Sequence, residues 1–194
     1  MTTVVPRQFA FSITCRDHVR GPASAAVTLL EYGDYKCPRC NEARFVVRRL
    51  EAALGDQMRF VFRNFPLSSL EVNSEHAAEA AETSGAQNKF WEMHDLLFNQ
   101  QHALSGKHLR VYATQCGLDM ERFNRDMALH TFDFRVKEDV LSGHQNGVSD
   151  TPTFFINDRR HPGPYDYATL LSAMKEVLSK PTSLESSPVE SDFH

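Results

Sequence analysis

Apolar residues recur along this chain with two periods, about two and about 3.6 residues, and the switches between them mark its elements. Residues 27–32 form a compact apolar run and predict a strand. Beyond Cys37, Ala43, Val46, Val47, Leu50 and Leu54 recur at three- and four-residue intervals, a helical stripe with Arg44, Arg48, Arg49 and Glu51 on the wet side. Gly55 supplies the stop. Residues 58–63 alternate at period two, which predicts the next strand. A strand, a helix and a strand of these lengths predict parallel strands joined by a right-handed crossover. Upstream, Phe9, Phe11 and Ile13 alternate with polar or small residues and predict a short leading strand, broken by Gly21 and Pro22.

Residues 73–147 are almost wholly helical in pattern. An alanine- and glutamate-rich segment from Ser74 ends at Gly85, and the next helix, 89–98, turns Phe90, Trp91, Met93 and Leu97 inward. A helix over 109–116 stops at Gly117, Asp119 caps one with Phe123 and Met127 on its apolar face, and 134–141 continues the theme. Residues 153–157 then read as a strand, 159–161 as a brief partner, and 167–178 as a last helix with Leu170, Leu171, Met174 and Leu178 as its stripe. The expected organisation is therefore an extension over 1–20, an α/β domain made of 21–72 and 148–179, a helical insertion over 73–147, and a disordered Ser-, Pro- and Glu-rich tail over 180–194.

A chain of 194 residues with 41% hydrophobic content can build one full core. Its net charge of −4 gives no reason to expect nucleic acid or an anionic membrane surface as a partner. No apolar run approaches the roughly 18 residues needed to cross a bilayer. The N-terminus lacks a basic region followed by an apolar one, which fits either a cytoplasmic protein or a mature form with its signal removed; the initial Met favours the first, so the expected location is the cytoplasm. Four cysteines are too few for a secreted disulfide scaffold of this length.

Two of them carry the chemistry. Cys37 and Cys40 enclose Pro38 and Arg39 at the junction of a strand and a helix. The first sulfur faces unpaired backbone N–H groups and the positive end of the helix dipole, which favour thiolate. The second lies one turn on, within reach to close or resolve a bridge. Cys37 is thus the expected nucleophile, exposed and ionised, with Lys36 and Arg39 adding positive charge; Cys40 is the buried resolving thiol. Half of a zinc site is the competing reading, but no second CxxC or paired histidines supply the remaining ligands, and no metal is expected. The nine histidines are scattered, and Cys15 and Cys116 lack near partners and read as passive.

Four separated motifs, residues 31–40 (EYGDYKCPRC), 63–67 (RNFPL), 89–94 (KFWEMH) and 147–157 (GVSDTPTFFIN), resemble the DsbA-like branch of the thioredoxin superfamily over roughly residues 17–178. The resemblance implies a thioredoxin-like α/β fold with a helical insertion and a cis peptide between Thr151 and Pro152. It also implies a buried acid, Glu31, that relays a proton to or from the second thiol. The sequence pattern agrees that Glu31 shares an apolar strand face with Leu29, although an outward glutamate is the plain alternative. Thr151, Pro152, Pro38 and Arg39 form the expected substrate-facing rim. Asp150, where the family often has glycine, places a carboxylate near the dithiol, able to raise the thiol pKa or repel acidic substrates. Residues 65–67, Phe90 and Trp91 read as packing.

The implied activity is thiol–disulfide exchange with protein thiols and disulfides or low-molecular-weight thiols, with no organic cofactor. Two other classes compete: a glutathione-dependent transferase or isomerase on the same scaffold, which does not need Cys40, and a peptide-binding chaperone module, which needs neither thiol. The sequence carries no signature of oligomeric state.

Overall fold

A computed structural model describes residues 12–67 and 72–179 of the chain. In chain order its elements are β1 (His18–Arg20), β2 (Val27–Gly33), α1 (Pro38–Leu54), β3 (Met58–Asn64), α2 (Val72–Gly85), α3 (Phe90–Asn99), α4 (Gly106–Gln115), α5 (Met120–Ala128), α6 (Asp133–Gln145), β4 (Thr153–Ile156), β5 (Arg159–Arg160) and α7 (Tyr167–Ser179). The strands make one sheet in the order β1-β3-β2-β4-β5. β2 and β3 run parallel, as a pair joined by a helix must, and the other neighbours are antiparallel. Helices α2 to α6 all fall between β3 and β4. The result is a thioredoxin-like α/β fold interrupted by a helical block.

Alternation along β2 divides the core. Leu29 shares one buried cluster with Phe60, Phe62, Phe154 and the inward side of α1, including Cys40, Ala43, Val47 and Leu50, and with Leu170 and Met174 of α7. Leu30 and Tyr32 point the other way, into a smaller cluster with Val61, Phe65, Val148 and Phe155, against which Val140 of α6 packs. Because the period is two, Glu31 must share the face of Leu29 and therefore lie beneath α1. That single parity rule positions the acid under the dithiol.

The expected leading strand lies mostly outside the described residues. Phe9 and Phe11 lie outside the described residues, and Ile13 is in irregular chain. Among the described residues the first strand is β1, at one edge of the sheet, with His18 opposite Phe62 and Arg20 opposite Phe60. It is held by side chains from distant elements rather than by its own apolar pattern. His18 stacks on Phe90 with ring centroids 3.4 Å apart. Arg20 lies 4.3 Å over Trp91 and bonds Glu51 at 2.8 Å.

Smaller departures have local causes. Asn157 is outside β4, at φ 52, where it opens the two-residue turn into β5. Asparagine tolerates this left-handed conformation, and its Oδ1 accepts the Thr28 N–H at 2.8 Å. Phe65 is core, but Leu67 is 43% exposed because the chain leaves the sheet there. The expected tail over 180–194 lies outside the described residues.

Candidate active site

Cys37 is the N-cap of α1, in extended backbone, with Pro38 at the first helical position and no side chain capping the helix start. Proline suits that position because its missing N–H would have no helical partner. The first-turn amides are consequently left to the Cys37 sulfur.

The loop in front of the helix is wound around Asp34. Asp34 Oδ1 accepts the Lys36 N–H at 2.8 Å and the Ser74 hydroxyl from α2, and Oδ2 accepts the Leu67 N–H at 3.1 Å. Its own carbonyl accepts the Cys37 N–H at 3.0 Å. From the α3–α4 connection, Gln101 Nε2 donates to Tyr35 O at 2.8 Å and to Cys37 O at 2.7 Å. The helical block thus grips the nucleophile's backbone from two sides. Asp34, Ser74 and Gln101 were not among the residues singled out from sequence, because nothing in a local pattern shows that they converge.

The two sulfurs sit in unlike surroundings. Cys40 is fully buried, and Cys37 is 9% exposed, a narrower opening than the sequence suggested. Cys37 Sγ lies 3.4 Å from the Thr151 carbonyl oxygen, and Cys40 Sγ accepts the Asp34 N–H at 3.5 Å. A hydrogen bond from the Cys40 thiol pulls the Cys37 pKa down to about 5 against the opposing effect of burial. Thr151 and the N–H groups of Cys40 and Arg39 act in the same direction. The Thr151 hydroxyl is buried and has no other partner. Cys40 is driven the opposite way, far above the ordinary thiol range, first by burial and then by its bond to Cys37. The helix terminus contributes as expected, through the Cys40 and Arg39 N–H groups, but the largest single cause is the hydrogen bond from the Cys40 thiol, which was not expected from the sequence.

Arg39 is shared between Asp150, its stronger partner, and Cys37. Its Nη2 pairs with Asp150 Oδ1, and this bond raises the guanidinium pKa. The same Asp150 oxygen accepts the Thr151 N–H at 2.7 Å. The Thr151–Pro152 peptide bond is cis, and Thr151 is fully buried against the dithiol. Beside Pro152 opens a cavity of about 440 Å³, lined by Asp150, Phe154, Arg160, His161 and Tyr165 among others.

Glu31 is buried, and its Oε1 has no hydrogen-bond partner. Burial, reinforced by the charge on Cys37, pushes its pKa up to about 8. Gly33, two residues along on the same face, leaves the carboxyl its space. A Cβ there would lie 3.1 Å from Glu31 Oε1 and 2.5 Å from the Phe62 ring. Every site residue expected from sequence therefore lies around one opening: Cys37, Pro38 and Arg39 at the mouth, Thr151 and Pro152 opposite, Cys40 and Glu31 beneath.

Other candidates lie apart. All four cysteines are free, Cys15 is exposed, and burial lifts Cys116 to about 11. His94 is buried beside Tyr35, Nδ1 3.1 Å from the hydroxyl, and burial holds it neutral by lowering its pKa well below the usual value. Among the described residues no group of three or more His, Cys, Asp or Glu could hold a metal ion. No helix among them is long and apolar enough to cross a membrane.

The model of the family described as thioredoxin matches residues 14–176. The chain is 45% identical over 164 residues to the Na(+)/H(+) antiporter NhaA 1 of Salinispora arenicola, a match covering 84% of this chain and 25% of that protein. It spans about a quarter of the length of the curated relatives it matches. Of solved structures, oxidised BdbD from Bacillus subtilis is similar at a TM-score of 0.77 and 25% identity, covering 85% of this chain and 94% of that one. A thioredoxin-like oxidoreductase from Silicibacter pomeroyi is similar at 0.76 and 27% identity, covering 86% and 95%. Strand order, helical block and sequence match agree: the chain belongs to the DsbA-like family of the thioredoxin superfamily.

Proposed function

We propose that the protein is a thiol–disulfide oxidoreductase in which Cys37 attacks and Cys40 resolves. Its substrates in this reading are protein thiols and disulfides or low-molecular-weight thiols, and its expected location is the cytoplasm. The observation that supports it is the opposed state of two sulfurs on one helix turn. Cys37 is held as a thiolate with its pKa near about 5, whereas buried Cys40 keeps its proton. An attacking sulfur must be ionised, and the thiol that waits must not compete with it.

Exchange then runs in two steps. The Cys37 thiolate attacks a substrate disulfide, the S–S bond breaks, and the distal sulfur leaves as a thiolate that takes a proton from solvent. Cys40 gives its proton to Glu31 and attacks Cys37 Sγ, and the second substrate sulfur leaves. Two electrons have passed to the substrate, and the reverse order installs a disulfide. Glu31 suits the second step because the Cys37 charge is one of the two causes that keep it protonated. Once Cys37 is bonded to substrate that charge is gone, and the carboxyl ionises more readily to receive a proton.

The alkylation rate of the reduced protein tests this. Modification of Cys37 by iodoacetamide should titrate with a midpoint near about 5. An ordinary midpoint of about 8.5, with no reversible loss of two hydrogens on oxidation, would overturn the reading. Cys40→Ser should trap mixed disulfides and stop multiple turnover; full turnover in that variant would point to a glutathione-dependent transferase. Direction follows from the reduction potential of the couple, with about −120 mV marking an oxidant and about −270 mV a reductant.

A further inference from the structure

One carboxylate occupies two hydrogen-bond donors at the approach to Cys37. Asp150 Oδ1 accepts the Thr151 N–H at 2.7 Å and also pairs with Arg39 Nη2. The Thr151 carbonyl lies 3.4 Å from Cys37 Sγ, so a peptide that delivers a disulfide to that sulfur must run along the Thr151 backbone. The N–H it would meet there is already bonded. Arg39, with half its side chain exposed at the same mouth, is a cation that a substrate carboxylate could pair with, and it too is bonded.

The ion pair with Arg39 is not explained by stability. The Asp150 side chain is 56% exposed, and exposed pairs of this kind contribute little to folding. Its placement is nevertheless specified, because Thr153 Oγ1 donates to the Asp150 carbonyl at 2.6 Å and fixes the backbone from which the carboxylate reaches forward. Asp150 also lines the cavity beside Pro152, where Arg160 bonds the Gly147 carbonyl at 2.8 Å.

We propose that Asp150 is a specificity-determining residue: a peptide disulfide enters the groove by displacing its carboxylate from the Thr151 N–H, and its hold on Arg39 disfavours substrates with an acidic side chain beside the reactive cysteine. This rests on the dithiol reading above and names the substrate class that the site selects, neutral or basic peptide disulfides over acidic ones.

The two donors are separable by mutation. Asp150→Ala removes both bonds, whereas Asp150→Asn removes the charge but leaves an oxygen that can still accept the Thr151 N–H. The test uses the full chain with dithiothreitol as recycling reductant and two disulfide peptides that differ only by Gly or Glu beside the cysteine. Asp150→Ala should lower KM for the Gly peptide about three- to tenfold. For the Glu peptide KM should fall by about a further fivefold, since a repulsive charge is lost and Arg39 is released. Asp150→Asn should improve the Glu peptide alone, and adding Arg39→Met to either variant should remove most of that gain. Changes should be concentrated in KM rather than kcat. Unchanged or raised KM for both peptides in Asp150→Ala and Asp150→Asn would overturn the proposal, as would equal gains for both peptides that Arg39→Met leaves intact. Failure of the unmutated protein to form a Cys37 mixed disulfide with either peptide would instead remove the dithiol reading itself.

Discussion

Two places in this molecule bury carboxylates against the same sheet, and they treat them oppositely. Beneath the dithiol, Glu31 has an oxygen without any partner. At the junction of the helical block with β3, Asp139 of α6 accepts the Asn64 N–H at 3.0 Å, and Glu82 of α2 accepts the Asn64 Nδ2 at 2.7 Å and lies 3.0 Å from His18 Nε2. Arg135 stands 3.9 Å from Glu82. Burial raises both titrating groups, Glu31 to about 8 and Asp139 to about 7. The difference lies in what surrounds them. A bonded carboxylate ties three elements together, whereas an unbonded one is costly and is tolerated where a proton has to move.

Glu31→Gln should give the largest effect, and in two directions. Resolution of the mixed disulfide should slow by about 10²- to 10⁴-fold, the usual worth of a positioned acid or base, while attack by Cys37 persists. Folding stability should rise. The folded pKa of about 8 lies above the ordinary 4.5, so the folded state holds its proton while the unfolded state releases it. Stability is therefore lost as pH climbs from about 4.5 to about 8, by about 3 kcal/mol at pH 7. The amide removes that slope. Urea unfolding at pH 5 and pH 7 beside single-turnover exchange measures both; a variant that loses stability, or that resolves normally, would end the contrast with Asp139.

Asp139→Ala should do the reverse. Exchange should continue, but the Asn64 N–H loses its acceptor in a buried place, at a cost of about 1–3 kcal/mol. The pH dependence has a sign as well. With a folded pKa near about 7, above the ordinary 3.8, Asp139 gives up stability as pH rises between those values. The penalty for removing it should therefore be greatest near pH 4 and shrink towards pH 8. A constant penalty across that range would mean that Asp139 is not strained by burial.

The contrast also marks what the chain reveals before it folds. The parity of β2 puts Glu31 with Leu29, and CPRC opening a helix sets one sulfur at its end and the other one turn inside; both are local facts. The helical block was legible because its stripes repeat over several turns. The strand β1 was not, since three residues with only Val19 apolar show no period, and their place depends on Phe90, Trp91, Glu51 and Glu82 from other elements. Asp150 was visible as an acid near the dithiol. Its partner was not, because Arg39 and Asp150 are separated by 111 positions and meet only when the block between them has folded.

Gln101 makes the smallest and most specific prediction. It lies in a polar stretch with Gln100 and His102, where sequence offers no reason to prefer one residue. Its amide alone spans Tyr35 O and Cys37 O, so it joins the helical block to the loop that aims the nucleophile. Cys37 O keeps bonds from the Cys40 and Asn41 N–H groups without it, and Asp34 still binds Ser74 and Leu67. Losing one tether of several should therefore cost about 1 kcal/mol in Gln101→Ala. The effect should appear as faster amide exchange around residues 35–40 and a several-fold slower attack on disulfides, with core amides of β2 and β3 unchanged. Because the Gln101 amide bonds backbone carbonyls rather than sulfur, the alkylation midpoint of Cys37 should hardly move. A shift in that midpoint with unaltered amide exchange would mean that Gln101 acts on the charge of the thiolate, and that the helical block tunes the chemistry instead of merely holding the loop.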